Sequence, residues 1–592
     1  MIIGALTAVA PSSAFVGEYK MKLRCRRDSN GSKTESDDDE PWRIPWNISV
    51  PEVTISAFME TGQPESSIIV PMQRAYTGWT QCAISSHLAD TPCATLGIQG
   101  LLDQLNTTLG TSHTLDTPSL SSLLEECITN NWDFGLAYGR LRRIWYTRNW
   151  STIRITLRKW EEKDWEMRRK ALVGNQIVDP YLPPRCVWDL ISNRVVPWWC
   201  TGIPSYNWKL RLRPISHAWM DEKDHVDEWT PINGYEWPAP IPKDTNLNLV
   251  RIEMLNLGLE YTWLDVLCLR QVGGQQEEMR VEEWKLDVPT IGAVYRKAYV
   301  VCYLSGLGRP LTLKEYDLGS DRSWFRRAWT LQEIGVSREI AGDTPDGPLH
   351  AKPIDEGGKY ETELLTRFHK QLQSVGFYPS GVFRALKSMQ NRVSTNPVDK
   401  VAGLAFVLPC KTIPAYYESE SLENAWTALV NSMDAWMRGK LFLYPEPGNA
   451  GTKWRPSWNQ IMTKPLPAAA GVHPFINVDR NEEMDEDWCD AECIEKGLVR
   501  GLAVVEGGYR RGKLIVKDAG ARTEHAFNIT ATHEYPILDD TYTLIRADSA
   551  WSEDWAVGRR LLGKRFEKVS ALKIPNGRQL RNLSERCRNI LV

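Results

Sequence analysis

The residues in this chain whose types could do chemistry are acidic side chains in apolar company. Glu333 lies in RSWFRRAWTLQEI, Arg322–Ile334, behind two tryptophans and three arginines. Read as a short helix, this stretch puts Trp329 and Glu333 four residues apart and therefore on one face, with Arg326 two turns back on that side. Asp265 interrupts YTWLDVLCL, Tyr261–Leu269, an otherwise nearly continuous apolar run. A buried carboxylate needs partners, either the N–H groups of a neighbouring loop or the lining of a binding site. Ser216 and His217 fall near the end of RLRPISHAW, where they could touch a ligand, and Trp219 beside them closes the fold. Each residue also has a structural reading. Glu333 reads as a surface glutamate or the partner of an arginine, Trp324 and Trp329 read as core, and Cys268 reads as packing.

Positioning such groups falls to the elements around them. Leu212–Ala218 reads as a strand. DTNLNLVRIEMLNLGLEY reads as a helix, capped by Asp244 or Thr245, with Leu247, Val250, Met254 and Leu257 on one stripe. Tyr261–Leu269 reads as a strand buried on both faces. TIGAVYRKA reads as a helix, YVVCYLS (Tyr299–Ser305) as a strand, Arg322–Ile334 as a helix and REIAG as the start of a fourth strand. The alternation predicts a parallel sheet with helices on both faces. Open sheets of that kind bind ligands at the carboxyl ends of their strands.

Outside this block the character of the chain changes. Residues 1–49, with the acidic run Asp37–Glu40, lack the apolar groups that offset ordering entropy and are expected to be a disordered leader. Residues 50–179 read as mostly helical, with Ser119 as the N-cap of SLSSLLEECI and a helix of mixed charge at Leu157–Leu172. NPVDKVAGLAFVLP and SLENAWTALVNSMDAWMRGKL extend the 180–460 region helically. Residues 461–592 break into short strands separated by Gly, Asp and Asn and read as a small all-β module.

Composition excludes several classes. The 592 residues carry a net charge of -3, so no global field favours nucleic acid. The 12 cysteines are scattered; Cys489 and Cys493 stand closest, and no second pair completes a zinc pattern. Cysteines in apolar runs, such as Cys268 and Cys302, fit a reduced cytoplasmic protein. No apolar run reaches spanning length. The phosphate-binding loop, the dinucleotide fingerprint, the nucleophile elbow and the His-Glu-x-x-His motif are all absent.

At PISHAW, YTWLDVLCLRQ, VYRKAYVVCYLSG and SWFRRAWTLQEI the chain resembles the fungal heterokaryon incompatibility (HET) domain, over roughly 180–340. Met220 stands where the family usually has glycine, and Arg270 where it often has an apolar residue or Asn. The resemblance implies a flavodoxin-like, distantly Toll/interleukin-receptor (TIR)-like α/β fold and a role in fungal non-self recognition, where fusion of incompatible strains triggers cell death. Some TIR domains cleave NAD at the nicotinamide glycosidic bond with a glutamate in a Trp-Cys-x-x-Glu helix; AWTLQE occupies that place. The resemblance thus implies Glu333 as the catalytic group and Ser216, His217, Asp265, Arg326 and Trp329 as NAD contacts. NAD enters as substrate, and no resident cofactor or metal is implied. The second reading is a non-enzymatic adaptor that self-associates and recruits an incompatibility or receptor partner. A membrane-damaging toxin fits worst, since no long apolar or basic amphipathic segment occurs.

Overall fold

The computed structural model describes residues 52–592 apart from 79–81, 204–210, 221, 376–380, 468–475, 505–508, 518–522, 548–552, 576–579 and 581; the leader expected at 1–49 lies outside the described residues. The fold is mixed α/β. A six-stranded sheet is built from β1 (Cys186–Asp189), β2 (Arg194–Pro197), β3 (Leu212–His217), β4 (Tyr261–Trp263), β5 (Tyr299–Tyr303) and β6 (Ser337–Ile340). Its order is β6-β5-β3-β4-β1-β2. β3 pairs in parallel with β4 and β5, and β5 with β6. The β1–β2 hairpin adds to β4 antiparallel and makes one edge. The four apolar ribbons between 212 and 342 therefore run the same way. Val300, Val301, Cys302 and Tyr303 are all buried, as a strand covered on both faces requires.

Three local expectations give way to tertiary structure. The run Tyr261–Leu269 is not one strand: β4 stops at Trp263 and the chain turns through Leu264 into a short helix, Asp265–Cys268. The helix Leu247–Asn256 is capped by Asn246, not Asp244 or Thr245; its side chain accepts from the Asn248 N–H at 2.9 Å. Ser119 precedes the helix Leu120–Thr129 as expected, but it is left-handed (φ 63°) and makes no side-chain cap.

The segment 322–334 is also not an α-helix. It forms two 3-10 turns, Trp324–Arg326 and Trp329–Leu331, separated by an extended Arg327. Val393 donates its N–H to Arg326 O at 2.7 Å and accepts from Ala328 N–H at 2.8 Å. This short parallel bridge between Arg327 and Val393 occupies backbone groups that a continuous helix would pair within itself.

The helices of the first third do not stand apart from the sheet. Leu102, Leu124, Tyr138 and Trp145 share one core with Trp188, Ile215, Trp263 and Val301. A second core joins the helical extension to the C-terminal strands: Trp426 and Phe442 pack with Phe566 and Leu591. The C-terminal sheet is separate and almost wholly antiparallel. Glu486–Arg500 pairs with both Arg510–Lys517 and Asp540–Arg546, so the sheet closes on itself around its own interior. Among the described residues no helix is long and apolar enough to cross a membrane.

Candidate functional site

The site gathers at the carboxyl end of β3, a strand with a parallel neighbour on each side. Ser216 and His217 are its last two residues, and both are buried. Ser216 Oγ accepts from the indole N–H of Trp324 at 2.7 Å and donates to Glu333 Oε2. The hydroxyl thereby links β3 to both ends of the 324–333 segment. His217 Nε2 meets Asp265 Oδ1 at 2.9 Å. Asp265 also accepts from the Val266 N–H at 2.8 Å and, at 3.3 Å, from the indole N–H of Trp219, whose ring stacks on His217. The break from β4 into a helix puts Asp265 at a helix start, where free amide groups meet a carboxylate.

Four of the six expected residues, Ser216, His217, Asp265 and Glu333, thus come together. Arg326 does not join them: it donates to Gly319 O at 2.8 Å and lies 3.3 Å from Asp321. Trp329 hydrogen-bonds Asp399. With the helix replaced by two turns, residues 326, 329 and 333 no longer lie on one face. The arginine that acts on Glu333 is Arg392, which donates to Thr330 Oγ1 at 2.6 Å and to Arg327 O at 2.5 Å. Nothing in the sequence around QNRVSTNP marks Arg392; it arrives through the bridge made by the next residue. Trp324, read as core, is 1% exposed and also fixes the serine.

The electrostatics follow from burial. Burial pushes the Glu333 carboxyl up to about 7, helped by the charge of Asp265 and opposed by Ser216, His217 and Arg392. Burial pushes the His217 imidazole down, but Asp265 and Glu333 outweigh it and hold the group above its ordinary value. Burial pushes Asp265 up, yet His217, the Val266 amide and Trp219 bring it below the usual carboxylate range. Two carboxyls in one site therefore differ, one inclined to keep its proton and the other ionised. That is the arrangement by which a fold separates acid from base roles.

A cleft of about 410 Å³ opens beside this cluster, over the carboxyl ends of β3 and β5. Ala218, Ser305, Arg309, Arg322 and Ser323 are among its walls. Arg309 pairs with Asp244 at 2.6 Å and Arg322 with Asp224 at 2.8 Å. Ala218 and Ser323 are chain neighbours of His217 and Trp324, so the cleft lies against the cluster, although Glu333 and Asp265 do not line it. Compared with models of protein families, with curated proteins and with solved structures, the chain matches none.

Proposed function

We propose that this chain is a cell-death effector of the heterokaryon incompatibility kind that cleaves NAD at the nicotinamide glycosidic bond, with Glu333 as its catalytic carboxylate. One observation carries this reading. A buried glutamate of raised pKa is held by the penultimate residue, a serine, of β3, one of the two inner strands of the parallel set. The order of that set supports it. In chain order the four parallel strands lie second, first, third, fourth. This is the arrangement of flavodoxin-like sheets, whose ligands sit where the order reverses, between the first and third strands. Those strands are β3 and β5, and the cleft opens over their ends.

In the reaction, water adds to the ribose carbon as nicotinamide leaves, giving ADP-ribose and a proton. The sugar passes through a cation-like state, which the negative charge of the ionised Glu333 behind the cleft wall stabilises. Ser216, itself held by Trp324, orients the carboxylate, and a ribose hydroxyl competes for it. His217, fixed by Asp265, raises the positive potential next to Glu333 and favours its ionised form. The test is nicotinamide release from NAD by the purified full-length chain. Glu333→Gln keeps the shape and should lower the rate by about a hundredfold or more while the chain stays cooperatively folded. A wild-type chain that releases no nicotinamide, even when concentrated enough to self-associate, overturns the proposal.

The burial of Glu333, only 9% exposed, favours the second reading, in which the cluster is a structural hinge of a non-enzymatic signalling module. That reading expects toxicity in a fungal host to survive Glu333→Gln.

A further inference from the structure

Away from the sheet site, the closing strand of the C-terminal module brings together cysteines far apart in sequence. All eleven cysteines among the described residues are free. Glu585–Leu591 pairs antiparallel with Glu486–Arg500 in a register that sets Ala491 opposite Cys587 and Cys489 opposite Asn589. Cys493 is therefore the diagonal neighbour of Cys587. The Sγ atoms of Cys493 and Cys587 lie 2.9 Å apart. Cys493 is buried and Cys587 half-buried, so one sulfur can be reached from solvent and the other sits behind it. Asn589 Nδ2 donates to Cys493 Sγ at 3.3 Å, and Arg560 Nη2 stands 3.9 Å from Cys587 Sγ. Arg560 is in turn held by Glu495 at 2.7 Å and by Asn589 Oδ1 at 2.7 Å.

We propose that Cys493 and Cys587 form a reversible disulfide, closed by a peroxide and opened by a dithiol, that staples the last strand to the C-terminal sheet. The sulfurs need to approach by roughly 0.9 Å to reach bonding distance. Cys587, having lost its proton, attacks one oxygen of hydrogen peroxide beside the Arg560 cation. The O–O bond breaks, the departing hydroxide takes up the proton that Cys587 released and leaves as water, and Cys587 becomes a sulfenic acid. Cys493 Sγ then attacks that sulfur: the S–S bond forms, the S–O bond breaks, and hydroxide takes the Cys493 proton to leave as a second water. Two thiols lose two electrons and one peroxide becomes two waters. The bond restrains the strand whose Leu591 packs in the core shared with the helical extension, and whose neighbour Val592 accepts from Lys453 N–H at 3.0 Å.

The test treats reduced full-length protein with hydrogen peroxide and maps its peptides. The expected result is a Cys493–Cys587 linked peptide and an intact mass lower by two hydrogens, both reversed by dithiothreitol and both absent from Cys587→Ser. The melting temperature of the oxidised wild type should also rise. A Cys489–Cys493 link, a Cys587 carried to sulfinic acid without a link, or two thiols that stay free would each overturn the proposal. The map of the unmutated chain decides the matter even if the variant fails to fold.

Discussion

Glu333 and His217 both hold a proton more tightly in the folded chain than in the unfolded one, and this couples the cluster to stability. The Glu333 carboxyl rises from an ordinary 4.5 to about 7. Between those values the folded chain keeps a proton that the unfolded chain releases, so this contribution to stability is full at acid pH and is lost as pH rises through the window. His217, held above its ordinary 6.5, adds the same sign at the upper end. Asp265 has the opposite sign: its stabilisation is present above 3.8 and is lost only as pH falls through its depressed folded value. Glu333→Gln should therefore flatten the fall in melting temperature between 4.5 and about 7, leaving a shallower fall above 6.5 from His217. Calorimetric melts across that range check it; identical pH profiles for variant and wild type would show that the carboxyl does not hold the proton. Ser216, His217 and Asp265 were legible in the sequence because each is a polar group ending or interrupting an apolar run, whereas Glu333 was singled out by the resemblance of AWTLQE to a family motif. Arg392 was not, because its neighbourhood breaks no pattern and its role comes from a backbone pairing 66 residues away in sequence, between Arg327 and Val393.

At the scale of elements, the glutamate is placed by how closely its segment approaches the short helix Ile291–Tyr295. A Cβ added to Gly292 would lie 2.3 Å from Gln332 Oε1 and 2.5 Å from Phe406 Cγ. Gln332, next to Glu333, is also held by its Nε2 donating to Ala402 O at 2.9 Å. Gly292→Ala should push the 332–333 segment off its seat, at a cost of about 1–3 kcal/mol. Urea unfolding midpoints measure that loss, and unchanged midpoints would mean that the segment yields freely. The strands were legible here because apolar runs such as YVVCYL need cover on both faces whatever packs there. The 324–333 turns were not: the period of the residues fits a helix, and only the distant Val393 supplies the competing backbone partner. The same limit hid the end of β4 at Trp263, where the apolar run continues unchanged into the helix Asp265–Cys268 and so carries no mark of the turn.

At the scale of the whole molecule, the 180–460 region expected to be one domain is smaller than the unit that shares a core. The expected boundary at 179 falls between groups that complete each other's charges. Arg142, from the helical first third, is buried against Asp189 of β1 at 2.9 Å, Glu260 at 2.6 Å and the Tyr261 hydroxyl at 2.6 Å. Arg194 of β2 pairs with Asp133 at 2.8 Å and Asp90 at 2.6 Å. Arg251, wholly buried, donates to Ile84 O at 2.7 Å. A cut at 179 strands the buried Asp189 without its arginine and Arg194 without its two carboxylates, each a loss of several kcal/mol, and exposes Val196, which packs against Gly139, to water. A 180–460 fragment should accordingly be insoluble or digested within minutes under limited proteolysis, while the full-length chain yields a resistant core that begins before Arg142. A fragment that stays monomeric and melts cooperatively would mean that the first third only decorates the sheet. Activity assays belong on the full chain for the same reason: the helix that carries Glu253 is tied through that one buried carboxylate to Gln73 at 2.7 Å, to the Tyr303 hydroxyl at 2.6 Å and to the Gly342 N–H at 2.8 Å. Removing the first third therefore loosens β5, and with it the edge of the cleft beside Glu333.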